Sequence, residues 1–348
     1  MVNALDNKCP ACGAKITFNP TSQTWNCEYC GGKFTLEEME KYDNASSLDA
    51  NTVKKNNKTT DLDVYRCKNC GAEIVADETV TATFCVYCGS TAILKDKIDA
   101  GIAPNLIIPF KNVKEDAVLA FKNVTKKKIL TPSSFKSEKN IQKITGVYIP
   151  FWAYDLVADG NISFNASDTR HWSDSEYDYT EISNYLVEKN GHFEYEKVLA
   201  DASSRFDDDL MDSLEPFNYN ELTKYNHAYL SGFMAEKYDV SEEDSLERAK
   251  TRSMNTCVEL VSSSIPHQSK SLKTNDINIV KKASNYIILP VWMVNIKYKN
   301  KMYTFAMNGQ TGKIVGNIPV GVKETILWSI IIFIGFLLLA TVVMYFIG

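Results

Sequence analysis

Cys9-Pro10-Ala11-Cys12 is followed by fourteen residues and then Cys27-Glu28-Tyr29-Cys30. Further on, Cys67-Lys68-Asn69-Cys70 is followed by fourteen residues and then Cys85-Val86-Tyr87-Cys88. A glycine stands after each pair: Gly13, Gly31, Gly71 and Gly89. Two thiolates separated by two residues can converge on one ion from a tight turn, and the glycine lets the backbone curl behind them at positive φ. Two such knuckles on a hairpin close a tetrahedral four-sulfur shell, which suits zinc. The expected ligands are Cys9, Cys12, Cys27 and Cys30 for one structural Zn2+, and Cys67, Cys70, Cys85 and Cys88 for a second. With all four positions taken by thiolate, no coordination site is left open for catalysis.

The intervals between the knuckles have room for two short strands each. Ile16–Phe18 and Thr24–Trp25 flank the turn residues Asn19-Pro20-Thr21-Ser22, while Glu73–Val75 and Thr81–Phe84 repeat the pattern. Zinc ribbons are thus expected over 1–40 and 64–95. The polar stretch 41–63 reads as a flexible linker. Each ribbon is too small to bury a sufficient core, so metal must supply its stability. A disulfide framework is disfavoured because Met1–Pro10 is polar, with no signal-peptide character, and a reducing compartment is expected. No thioredoxin-like βαβ pattern surrounds either CxxC.

The opposite end is apolar. Thr325 to Gly348 carries no charge, and Ile, Leu, Val and Phe dominate it. At about 1.5 Å rise per residue it crosses a hydrocarbon core of roughly 30 Å. Trp328 and Tyr345 lie near its two ends, as interface aromatics do. A transmembrane helix over 325–347 follows. Lys313 and Lys323 precede it and nothing basic follows, so the N-terminal bulk is expected in the cytosol, on a cytoplasmic membrane crossed once.

Between ribbons and anchor lies a region expected to be β-rich over 100–320, with a helical insertion near 203–264. Tyr148-Ile149-Pro150-Phe151-Trp152-Ala153-Tyr154 is echoed by Ile288-Leu289-Pro290-Val291-Trp292-Met293-Val294. Both segments lead into strands, followed by hairpin signals at Ala158-Asp159-Gly160-Asn161, Lys299-Asn300-Lys301 and Asn308-Gly309-Gln310-Thr311-Gly312. Duplication of a β unit is one reading; chance similarity of buried strands is the other. A helix start is expected at Ser203 or Ser204 before Asp207-Asp208-Asp209, and another at Ser241-Glu242-Glu243-Asp244. In the second helix, Leu246, Ala249, Ser253, Cys257, Leu260 and Val261 form one stripe, which makes Cys257 a core residue.

Charge is segregated. Asp155 to Glu215 holds sixteen acidic residues against four basic ones, a net of -12. The whole chain carries -5, which leaves +7 elsewhere, with clusters at Lys54-Lys55, Lys126-Lys127-Lys128 and Lys281-Lys282. Such a bipolar surface suits a charged partner or anionic lipid. Nucleic-acid binding by the ribbons is an alternative, helped by Lys54, Lys55, Lys58, Arg66 and Lys68 but opposed by the acidic middle and by the lack of a basic stripe with interleaved aromatics. None of His171, His192, His227 and His267 sits in an HExxH, and no GxSxG or phosphate-binding loop occurs. The chain is expected not to be an enzyme, the rival being an enzyme with an unrecognised site. The expected fold class is therefore multi-domain α+β: two N-terminal zinc ribbons, a β-rich middle domain with helical insertions, and one C-terminal transmembrane helix.

The tandem ribbons, Leu214-Glu215-Pro216-Phe217, the stretch Tyr229-Leu230-Ser231-Gly232-Phe233-Met234-Ala235-Glu236-Lys237-Tyr238-Asp239-Val240 and the terminal anchor together resemble the YdjG-like bacterial membrane zinc-ribbon proteins. The resemblance covers most of the chain. It implies a membrane adaptor in envelope stress whose partner is phage shock protein A, and it carries over only the eight ribbon cysteines. Cys85-Val86-Tyr87-Cys88-Gly89 is also locally similar to the zinc region of the primosomal helicase. That likeness spans a few residues, and the helicase's nucleotide-binding elements have no counterpart here.

Overall fold

A computed structural model describes residues 8–48, 64–76, 85–88, 93–96, 103–299 and 301–347. It is a mixed α/β structure whose mass is β-rich, with two four-cysteine clusters towards the N-terminus and one long apolar helix at the C-terminus. The described residues fall into two compact units. One collects 1–150, 205–237 and 288–348; the other collects 151–204 and 238–287. Each unit therefore gathers segments far apart in sequence, because two long strands, Thr145–Ser173 and Ser269–Tyr298, contribute their two ends to different units.

The Pro-x-Trp segments lie on those two strands, which are neighbours in one sheet. Each is followed by an antiparallel partner. Phe151 to Ser173 pairs with Asp178–Asp201, and Val291 to Tyr298 pairs with Lys301–Asn308. Each is also preceded by a helix, Lys114–Lys127 in one case and Glu242–Ser263 in the other. The helix Lys114–Lys127 belongs to the unit holding the second hairpin, where Phe121 meets Phe305 edge-on at 5.1 Å. The helix Glu242–Ser263 belongs to the unit holding the first, where the Tyr195 hydroxyl reaches Cys257 Sγ at 2.9 Å. The order helix, strand, antiparallel partner thus occurs twice, and each helix packs on the hairpin of the other set. Trp152 and Trp292 are core residues, and their indole N–H groups donate to the carbonyls of Val240 and Asn112.

Several local expectations need correction. The helix Leu36–Leu48 is capped by Thr35 and Glu38 in a reciprocal pair, so the first part of the expected 41–63 linker is helical; 49–63 lies outside the described residues. Ala158-Asp159-Gly160-Asn161 is not a turn but the middle of a strand. Gly160 is needed there because a Cβ would fall 2.1 Å from the Asp276 carbonyl oxygen of the adjacent strand. The true turn is at Asp174, whose carboxylate accepts the amides of Glu176 and Tyr177. The short helix Asp208–Asp212 is capped by Asp207 rather than by Ser203 or Ser204, since Asp207 reaches the Leu210 amide; Ser204 instead bonds Asp239. Ser241 caps the long helix as expected, and Ala249, Ser253, Cys257 and Val261 are buried, but Leu260 is exposed. The Asn308 turn and the Lys299 hairpin form where expected, with Gly312 at φ 78 and Lys299 at φ 48.

Candidate metal centres

The eight cysteines assemble as two groups of four. Within each group the Sγ atoms all lie within 4.8 Å of one another. In the first, Cys9 and Cys30 are 3.5 Å apart and Cys12 and Cys27 are 3.6 Å apart. In the second, Cys67 and Cys88 are separated by 3.6 Å and Cys70 and Cys85 by 3.7 Å. A disulfide needs about 2.05 Å. Four thiolates at about 2.3 Å from a tetrahedral zinc are about 3.8 Å from each other. The spacing matches co-ligands of one ion and excludes sulfur–sulfur bonding.

Local backbone chemistry builds the knuckles. Cys9 N donates to Ala14 O and Gly13 N returns to Cys9 O; Cys27 and Cys67 make the same pair of bonds with Gly32 and Gly31, and with Ala72 and Gly71. Gly13, Gly31 and Gly71 sit at φ 71, 73 and 72, where a Cβ would be strained. Gly89 and the expected strand Thr81–Phe84 lie outside the described residues. Amides in the knuckle point at sulfur. The Cys30 and Tyr29 amides lower the Cys27 thiol to about 7, whereas Cys12, although lowered by the Ala14 amide, is pushed up to about 12 by burial and its neighbouring sulfurs. In the second group, burial first raises both Cys70 and Cys85. Four sulfurs this close cannot all ionise unless a cation offsets their repulsion, and a bound divalent ion does that. The donor set thus fits one metal ion per group, held in a closed shell suited to a structural role.

The two groups are seated differently within the same unit. The first has its own three-stranded antiparallel sheet, Thr17–Asn19, Thr24–Asn26 and Lys33–Phe34. It meets the rest of the unit mainly through side chains, with one backbone bond from Phe18 N to Ser231 O at 3.1 Å. Trp25 is fully buried and its indole N–H donates to Ala228 O at 2.8 Å. Phe18 packs on Tyr229 at 5.2 Å and Phe233 at 6.5 Å, and Gln23 donates to Phe110 O. The second group is joined by backbone. Its strand Glu73–Ala76 pairs antiparallel with Met234–Glu236, and that strand pairs parallel with Val147 and Tyr148. Glu236 is buried and faces Arg205 Nε at 3.4 Å. Tyr87, inside the last knuckle, packs on Phe206 at 5.4 Å; burial first, and Glu236 next, hold its phenol well above the usual range.

Ala228 to Glu236 is therefore the common seat of both groups. No motif in Tyr229–Val240 predicts these contacts. A signal was there: Tyr229-Leu230-Ser231-Gly232-Phe233-Met234-Ala235 holds no charge within a charged chain. Gly232 sits at φ 90, and a Cβ built there would lie 3.7 Å from the Thr17 side chain of the first group. Among the described residues, no other His, Cys, Asp or Glu set converges like these two; Asp207-Asp208-Asp209 forms a helix cap instead. Cys257 is buried and its thiol is raised by burial, as befits a core residue.

The helix Val322–Ile347 completes the inventory. Its segment Val322–Phe346 is long and apolar enough to cross a membrane, and none of the most hydropathic stretch is buried within the protein. Fold and sites together define a β-rich protein with two four-thiol groups able to hold metal ions and, among the described residues, one candidate membrane span. No protein-family model matches the chain, and no solved structure matches it. The uncharacterized protein YdjG of Bacillus subtilis (strain 168) is 34% identical over 330 residues, covering 93% of each chain. The chain belongs to the YdjG family.

Proposed function

We propose that the protein is a membrane-anchored zinc-ribbon adaptor that recruits a peripheral, phage shock protein A-like partner to the cytoplasmic membrane during envelope stress. The observation that carries this reading is the pairing of two closed four-thiolate shells with an exposed apolar helix. Closed shells build rigid surfaces rather than reactive ones. An anchored surface raises the local concentration of whatever binds it. Zinc is the metal that best suits four thiolates in a tetrahedron. The thiolates also call for a reducing compartment, which supports a cytosolic location for the bulk of the chain.

In-cell crosslinking followed by mass spectrometry tests the proposal, using the full chain and a chain lacking 325–347. The full chain should capture a stress-response or membrane-remodelling protein, and the shortened one should lose it. Capture of no partner, together with substrate turnover by the purified protein, would defeat it. A filter-binding titration against salt concentration separates the nucleic-acid alternative, which demands a steep log-log slope.

A further inference from the structure

The stretch from Lys122 to Lys143 holds seven lysines and a single acidic residue, Glu138. It comprises the end of the helix Lys114–Lys127, the short helix Glu138–Ile141 and the loop between them. Lys122, Lys126, Lys127, Lys128 and Lys139 are exposed, while Lys136 and Lys143 are half-buried. Lys122, Thr125, Lys126, Lys136, Glu138 and Ile141 line an open depression of about 220 Å³. Glu138 is 3.4 Å from Lys122, so it offsets one of the three lysines there and leaves the depression cationic.

The same loop grips the base of the candidate membrane helix. Gly321 N donates to Leu130 O at 2.8 Å, and Ser133 N donates to the Glu324 carboxylate at 3.3 Å. A Cβ on Gly321 would press on Pro132, so the two segments are in close contact. Lys128 stands two residues before Leu130, at most about 7 Å along the chain, which is within the roughly 8 Å screening length of physiological salt. Ile129, exposed between Lys128 and Leu130, adds an apolar side chain at the same level.

We propose that this lysine cluster is a binding site for the phosphate headgroups of anionic phospholipid, held at the membrane surface by its bonds to the first turn of the anchor. The inference rests on reading Val322–Phe346 as the membrane span. Charge complementarity and continuity with that span select lipid as the occupant. Juxtamembrane lysines bind a negative leaflet additively, so each one strengthens the attachment.

The test uses the full chain in lipid nanodiscs, with lysine-acetylation footprinting read by mass spectrometry. One disc is phosphatidylcholine alone; in the other, phosphatidylglycerol replaces a third of the lipid. Labelling across Lys122–Lys143 should fall about tenfold or more in the anionic disc, while Lys270, Lys281 and Lys282 keep their rates. The variant Lys126→Gln/Lys127→Gln/Lys128→Gln should abolish the difference at Lys122, Lys136 and Lys139. The matching Lys→Arg triple should retain it, and decides the matter if the Gln variant does not fold. Equal labelling in the two discs, or loss of the difference in the Arg triple, overturns the proposal. Equal protection by inorganic phosphate in phosphatidylcholine discs overturns it too, by revealing a small-anion site. A protein that does not co-elute with discs would overturn the membrane span itself, a different outcome from a disc-bound protein with unselective lysines.

Discussion

The two cysteine groups share one spacing and one set of glycines, yet they are built into the molecule by different forces. The first is a small sheet of its own, attached through the buried indole of Trp25, the ring of Phe18 and a single backbone bond from Phe18 to Ser231. The second donates the strand Glu73–Ala76 to a larger sheet and is pinned by the buried Glu236 and by Arg205. Docking by side chains and one backbone bond is local, whereas a backbone ladder transmits loss of order along the sheet. The same ligand set therefore serves as a detachable module in one place and as a structural edge in the other.

Metal removal should separate the two most strongly. A structural zinc supplies about 10–16 kcal/mol to a small ribbon. In chelator, amide exchange should rise throughout 8–35 and 64–76. Only loss of the second ion should spread to Met234–Glu236, because those residues share its ladder. Retained protection in both groups in metal-free protein would contradict the metal reading altogether. Single substitutions then address the groups one at a time: Cys12→Ser and Cys70→Ser should each lower bound zinc, measured by elemental analysis, from two ions to one per chain.

The buried ion pair comes next. Glu236→Ala leaves Arg205 its bond to Gly71 O without the Glu236 carboxylate and should cost about 3 kcal/mol, the low end for a broken buried pair because Arg205 is partly exposed. A denaturant midpoint measured on the full chain in detergent checks it. An unchanged midpoint would mean that the ladder, not the ion pair, seats the second group. Trp25→Phe deletes the indole donor to Ala228 and leaves a small cavity, so about 2 kcal/mol should be lost. Exchange should quicken in 17–34 but not in 64–76; spread to the second group would erase the proposed distinction.

The smallest effect is a reference from outside both groups. Asp168 is lowered from its ordinary value, first by the Gln268 amide and then by His267. Its folded pKa lies below its unfolded one, so its contribution is full above the unfolded value and fades as pH falls through the folded value. Exchange in the hairpin near Thr169 should quicken in that acidic window and not between neutral pH and the unfolded value. Asp168→Asn should remove the step while metal content stays unchanged.

How much was legible beforehand follows from the range of each interaction. The knuckles were readable because ligand spacing and glycine φ are set within six residues, and Gly13, Gly31 and Gly71 took the positive φ expected. The terminal helix was readable because apolar length is a property of one segment. The Pro-x-Trp echo was visible as a pattern, but its meaning was not, since both readings predict buried strands. Gly160 misled: a glycine beside Asp and Asn signals a turn, and only the neighbouring strand's Asp276 carbonyl explains why it lies mid-strand. Leu260 fell on a plausible stripe but faces outward, because stripe width depends on what packs against it.

By itself, then, the sequence determined the two sulfur shells, the knuckle turns and the apolar terminal helix, all of which depend on residues close together along the chain. Only the tertiary structure decided that Ala228–Glu236 seats both shells by different means, that each helix packs on the hairpin of the other set, and that the loop following Lys126–Lys128 is bonded to the base of a helix beginning at 322. Those arrangements depend on partners far apart in the chain, 62 residues for Tyr195 and Cys257 and 203 for Trp25 and Ala228, and no local pattern encodes which distant surface a buried face will meet.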